Sequence, residues 1–249
     1  MSRVTNYPPH AVPRWDAAEI NAILAWYFDN IYGVHEGPGV LPYYCDGARV
    51  GHFAVPPGAL AAGKPAALLR LLVTMAMYQA RRDILVMELQ RRMPAHAVSE
   101  LVSPTTLRRL VDESRCAHVA DAIAFDAGCD VYKSGVQVAC RSHPHRPCHV
   151  KRASEWFKRT GDMGKVPTSA WLHLFAGQQL GRHLAGPFAL PISPTVRADI
   201  LVRTLSGVHR VGRKLATMFV SALSNPWLAP RLAPWFPLVD GSQLVVVDT

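Results

Sequence analysis

The sequence predicts a mainly α protein, and three stretches carry that expectation. Residues 66–93 hold an apolar stripe at helical spacing through LLRLLVTMAMYQARRDILVMELQRRM. Residues 196–222 read as helix, tight turn, helix. Val196, Ile200, Val202 and Leu205 precede the turn, Gly212 marks it, and Leu215, Met218, Phe219 and Ala222 follow at helical spacing. Between them, residues 116–150 contain Gly128, Gly135, Pro144 and Pro147 together with four of the five cysteines, which marks a loop insert.

Composition bounds the rest. A chain of 249 residues with 49% hydrophobic content can bury a sizeable core and is no disordered tail. The net charge of +9 favours a polyanionic partner, nucleic acid ahead of a membrane surface, although a basic balance also serves solubility alone. No apolar run reaches the roughly eighteen residues of a membrane span. The start, MSRVTNYPPHAVPRW, lacks an apolar signal core. A cytoplasmic, nucleoid-associated protein is therefore expected, and five cysteines in a reducing compartment point to metal ligands or buried thiols rather than disulfides.

In chain order, residues 1–15 read as an arm. Asp16 with Glu19 three residues on has capping-box spacing, and Ile20, Leu24, Tyr27, Phe28 and Ile31 form one apolar face behind it. Residues 33–65 are rich in Gly and Pro and read as loop, with a short hairpin at 43–53. Residues 1–64 thus form an N-terminal arm, helix and loop, and 65–249 a helical domain interrupted at 116–150. After the long apolar stretch, residues 94–96 form a short loop, and Pro104 starts a helix through 105–111. Residues 148–164 hold a further helix ended by Gly161 and Gly164. Lys165, Val166 and Pro167 then lead into an apolar stripe at Trp171, Leu172, Leu174 and Phe175. A Pro-rich break at 188–194 precedes the helix that enters the turn.

A helix that starts at Gly212 leaves backbone N–H groups directed outward, which suits an anion such as a phosphate. Lys214 follows two residues later. VGRKLA at 211–216, with VVVDT at 245–249, resembles the helix-hairpin-helix DNA glycosylase superfamily, the endonuclease III-like enzymes. The resemblance runs from about residue 65 to Thr249, apart from 116–150. It implies a helix-hairpin-helix glycosylase-like helical domain with a Cys-rich loop insert, acting on double-stranded DNA, with no membrane partner. In bifunctional members a Lys just after the hairpin glycine is the nucleophile, and an Asp in a V-D-T setting completes the site. Lys214 and Asp248 match those two positions. Gly207, His209, Arg210, Gly212 and Arg213 match the DNA-gripping hairpin. Gln79 matches a residue that fills the gap left by an extruded base.

The chain departs from the pattern at three points. Arg210 stands where the family hairpin L-P-G-V-G has its first glycine. The Lys-to-Asp gap is longer than the family's and contains Pro226, Trp227, Pro230, Pro234, Trp235 and Pro237, an inserted loop. In the family the Asp opens a helix and more helices follow, so the pattern implies helices after Thr249 or their replacement by the first 60 residues.

The implied chemistry is base excision by base flipping, with or without lyase activity. The base must leave the stack before its glycosidic carbon can be reached. A lysine amine attacks C1′ only when neutral, and a carboxylate balances the cationic sugar as the bond breaks. A non-catalytic DNA-binding module and an RNA- or protein-binding helical domain with a structural metal are the competing readings.

Cys116, Cys129, Cys140 and Cys148 are separated by twelve, ten and seven residues. None of these is the tight C-x-x-C of a zinc site. Four thiolates holding a 4Fe-4S cluster are the first reading and zinc the second. A mixed site using His143, His145 or His149, and plain buried thiols, are the others. Family members carry their cluster after the catalytic Asp, so the position here differs. Cys45, far from the rest, reads as a structural thiol.

Overall fold

In a computed structural model the described residues are 18–19, 22–23, 26, 41–79, 82–135, 137–145, 148–157, 163–176, 180, 192–225 and 234–244. They are mainly helical. The fold is organised around α4 (Pro65–Ala76), with Pro65 at its first turn. Ala67, Leu68, Leu69, Leu71, Leu72, Val73, Met75 and Ala76 are all buried, so the helix is covered on nearly every side. Each buried Leu contributes about 2 kcal/mol. The helices that cover α4 include α6 (Ala95–Val102), α7 (Pro104–Ser114), α10 (Val166–Ala170) and α12 (Arg213–Ser224).

The long apolar stretch is two helices. The chain leaves α4 through a turn in which Gln79 N donates to Ala76 O, and α5 (Asp83–Arg92) begins at an acidic residue. The loop expected at 94–96 is instead the start of α6, with Pro94 at its N-cap. At α7 the reading holds: Ser103 caps it, accepting from Thr106 N.

Where a hairpin was expected at 43–53, the chain is helical. It forms α1 (Leu41–Cys45), α2 (Gly47–Val50) and a 3-10 turn (Gly51–Phe53), followed by α3 (Pro57–Ala61). The buried side chains, Tyr43, Tyr44, Val50 and Phe53, do not alternate as a strand would require. Asp46 supplies the cap, accepting from Ala48 N at 2.8 Å. Gly51, at φ +58, reverses the chain where an L side chain is strained. Of the expected helix near the N-terminus, Ala18, Glu19, Ala22, Ile23 and Trp26 are described and helical; its apolar face lies outside the described residues.

Residues 116–150 are more regular than a loop. They contain a 3-10 turn (Ala117–Val119), α8 (Ala122–Gly128) and an antiparallel pair, β1 (Val131–Ser134) with β2 (Gln137–Cys140), in which Val131 faces Cys140. Asp121 caps α8 by accepting from Ala124 N at 2.8 Å. Val119, Phe125 and Val131 join the main core, so the insert is held by that core. Helix α9 (His149–Trp156) packs on both strands and on α6 and α7.

Gly164 lies flush against α9. A Cβ there would come within 2.4 Å of Ser154 Cα and 2.5 Å of its N. Lys165 follows and donates from Nζ to Cys129 O at 2.7 Å. Helix α10 continues into a π-helical turn (Trp171–Ala176). Helices α11 (Pro194–Leu205) and α12 then pack on one another as the two arms of the predicted helix, turn, helix. Beyond α12, Trp235 N donates to Leu223 O and the Trp235 ring meets Phe219 edge-on at 5.9 Å, folding residues 234–244 back onto that helix. No helix among the described residues is long and apolar enough to cross a membrane.

Candidate functional site

The turn between α11 and α12 is closed by short backbone bonds, Val208 N to Leu205 O at 3.0 Å and Val211 N to Val208 O at 2.8 Å. Val208 and Val211 are buried and pull the turn onto the core. His209 N donates to Ser169 Oγ at 2.8 Å, which ties the turn to α10. Gly207 sits over His173, whose ring Nε2 lies 3.0 Å from Asp126 Oδ2.

Arg210 has φ +64, the left-handed region that favours glycine. The turn therefore has a glycine-like backbone at a residue that carries a guanidinium. Left-handed backbone at a non-glycine costs about 1 kcal/mol. Gly212 is the N-cap of α12, with no side chain capping that end and nothing within 4 Å of a built Cβ. Arg210, Gly212, Arg213 and Lys214 are all exposed. The result is a cationic turn with an open approach to the start of a helix.

On the α4 side of Lys214 lies a cavity of about 590 Å³. It is floored by Met75, Met87, Leu215 and Met218 and walled by Tyr43, Tyr44 and Tyr78. The three rings meet edge to face, with centroids 5.2, 6.2 and 6.4 Å apart. Arg49, Gln79, Asp83 and Lys214 complete the lining. Arg49 is held by Asp46 at 3.3 Å and stacks over the Tyr43 ring at 5.1 Å. Tyr43 Oη and Tyr78 Oη are 2.9 Å apart, and Tyr78 Oη donates to Gln90 Oε1 at 3.0 Å. Gln90 is fully buried and donates from Nε2 to Thr74 O at 3.3 Å. Burial raises the Tyr78 phenol well above its usual range, and Tyr43, Tyr44 and Asp83 push the same way.

Gln79 and Lys214, 135 positions apart by number, therefore line one cavity. The hairpin residues form one surface turn beside it. Asp248 lies outside the described residues, as do 226–233 of the expected loop. Tyr43, Tyr44, Tyr78, Arg49 and Asp83 were not singled out from the sequence. The pair Tyr43–Tyr44 sits in the segment read as a hairpin, and its helical folding brings both rings against Tyr78.

The four cysteines bracket the elements of the insert. Cys116 and Cys148 are N-caps, Cys129 is the C-cap of α8 and Cys140 ends β2. Burial pushes the Cys129 thiol up to about 11; Lys165 opposes this, while the neighbouring Cys148 and Cys116 add to it. Cys140 Sγ donates to Asp130 Oδ1 at 3.0 Å. With Ser142, that bond draws the Asp130 carboxyl down to about 2. The Cys140 thiol is raised, by burial first and then by Asp130. No bond among the described residues reaches either ring nitrogen of buried His149, and burial, then Arg152, lowers its pKa to about 4. Among the described residues no three His, Cys, Asp or Glu side chains are arranged to hold a metal ion. Cys45 is apart from this group, with its thiol raised to about 11 by burial, as an inert thiol would be.

No protein-family model matches this chain, and neither a curated protein nor a solved structure gives a match.

Proposed function

We propose that this chain is a DNA base-excision glycosylase with lyase capability, which extrudes a damaged or modified base into the tyrosine-walled cavity. The observation that carries the reading is the shared lining: Gln79 and Lys214 meet at a cavity of about 590 Å³ beside an exposed cationic hairpin. Arg210, Arg213 and the start of α12 take the backbone phosphates. Gln79 stands at the cavity to occupy the space an extruded base vacates. The tyrosine rings give the base faces to stack on. The Lys214 amine attacks C1′, the glycosidic bond breaks with its electron pair leaving on the base, and a proton completes that leaving group. The nitrogen lone pair then expels O4′, which takes the remaining amine proton, and an imine is left between C1′ and Lys214. The proposed role of Asp248 is to balance the cationic sugar. A cytoplasmic, nucleoid-associated location belongs to the same reading.

Incubation with duplexes that each carry one lesion, followed by borohydride reduction, tests this. A covalent protein–DNA adduct together with free base is expected, and Lys214→Gln should abolish the adduct, a loss of at least about a hundredfold. DNA binding with neither base release nor trapping across the panel would replace this reading with that of a non-catalytic DNA-binding module.

For the insert, we propose that Cys116, Cys129, Cys140 and Cys148 hold a 4Fe-4S cluster. The orphaned ring nitrogens of buried His149, next in the chain to Cys148, favour a bound group there. Cys140 would exchange its bond to Asp130 for the cluster. When bound, the group would tie the ends of the insert's elements to one another, and no catalytic step depends on it. Protein purified without air should be brown, with iron and sulfide in equal amounts. Colourless protein carrying one zinc would transfer the site to the zinc reading.

A further inference from the structure

The polar wall of the cavity has a fixed hydrogen-bond direction. Gln90 Nε2 must donate to the Thr74 carbonyl, at 3.3 Å, so its Oε1 is the acceptor for Tyr78. Each phenol has one proton. Tyr78 has given its own to Gln90, so in the 2.9 Å contact with Tyr43 it can only accept. The proton of Tyr43 is therefore committed to Tyr78, and Tyr43 can offer a further partner only its oxygen lone pairs. Asp83 lines the same cavity and is close enough to Tyr78 to act on it electrostatically. An ionised carboxylate is likewise an acceptor. The relay is anchored on a fully buried glutamine, so it does not reverse without leaving a buried group unpaired.

Resting on the reading of this cavity as the receptor of an extruded base, we infer that it selects bases bearing an exocyclic amino group, read as a donor by Tyr43 Oη. A derivative of adenine or cytosine offers that donor. Arg49, on the Tyr43 face, already places a guanidinium in the lining, so a neutral amino base suits it better than a cationic one.

Matched pairs of free bases isolate the amino group: adenine against purine, and cytosine against 2-pyrimidinone. Ligand-observed NMR on the full chain measures their affinities without DNA. The amino member of each pair should bind about fivefold more tightly, the worth of one hydrogen bond. Tyr78→Phe removes the acceptor that holds the Tyr43 proton and should bring both ratios toward one while purine binding persists. Tyr43→Phe should do the same, and a cooperative thermal transition that begins above the assay temperature confirms either variant as folded. Equal affinities within each pair, binding of none of the four bases, or ratios unmoved by Tyr78→Phe overturn the inference. Trapping at Lys214 is scored separately. A protein that traps but shows no amino preference keeps the glycosylase reading and loses this one.

Discussion

Gly164→Ala should destabilise the protein by about 3 kcal/mol or more, read as a fall in the urea midpoint and in Tm. A Cβ at this position meets Ser154 Oγ at 2.0 Å, Ser154 Cα at 2.4 Å and Ser154 N at 2.5 Å. Two of those atoms are backbone of α9, so no rotamer change relieves them. Ser154 is itself buried, with its hydroxyl bonded to Val150 O at 2.7 Å. Either α9 or residues 163–166 must move. Met163 and Val166 are core residues, and Lys165 holds the insert through Cys129 O, so the shift spreads in both directions. It also runs along α10 to Ser169, the acceptor for His209 N, and so to the hairpin. Adding Ser154→Gly removes only the hydroxyl overlap and should restore a minor part of the loss. A Gly164→Ala protein within about 0.5 kcal/mol of wild type would show that the α9 contact is not close.

Gly51→Ala should cost a similar amount, about 3 kcal/mol, and should act on the cavity rather than the hairpin. The residue sits at φ +58, where a Cβ adds about 1 kcal/mol of strain. That Cβ would also meet Gln90 O at 2.6 Å and Arg91 Cα at 2.9 Å, both in the backbone of α5. Overpacking of this kind adds about 1–3 kcal/mol. The contact locks α2 and the 3-10 turn onto α5. Opening it separates Tyr43 and Tyr44, which precede the turn, from Asp83 and Gln90 on α5. The expected signature is therefore double: a lower Tm, and a weakened purine or pyrimidine signal in ligand-observed NMR at temperatures where the variant is still folded. A stable variant with undiminished base binding would dissociate Gly51 from the cavity.

The hairpin illustrates what a local signal can carry. Helical spacing on both sides of Gly212 is a property of neighbours in the chain, and burial of Leu205, Leu215 and Phe219 follows it directly. The Pro104 helix start was legible for the same reason. The segment 43–53 was misread because Gly and Pro signal a turn without specifying what lies between turns. Its helices depend on the Asp46 cap and on two tyrosines that pack against the distant Tyr78 ring, which no short window contains. The insert reads as a loop because Gly128, Gly135, Pro144 and Pro147 interrupt it, and none of these shows what its few apolar residues pack against. Val119, Phe125 and Val131 suffice once the main core supplies the other side.

By itself, the sequence determined that the protein is mainly helical, where the helix, turn, helix lies, and that its exposed turn is cationic. Each of these follows from residue type and spacing along the chain. Only the tertiary structure decided that Gln79 and Lys214 share one cavity, that three tyrosines wall it, and that a buried glutamine fixes the direction of its hydrogen bonds. Those properties arise where separate helices meet, and the packing of their side chains, rather than any periodicity, sets which groups face one another.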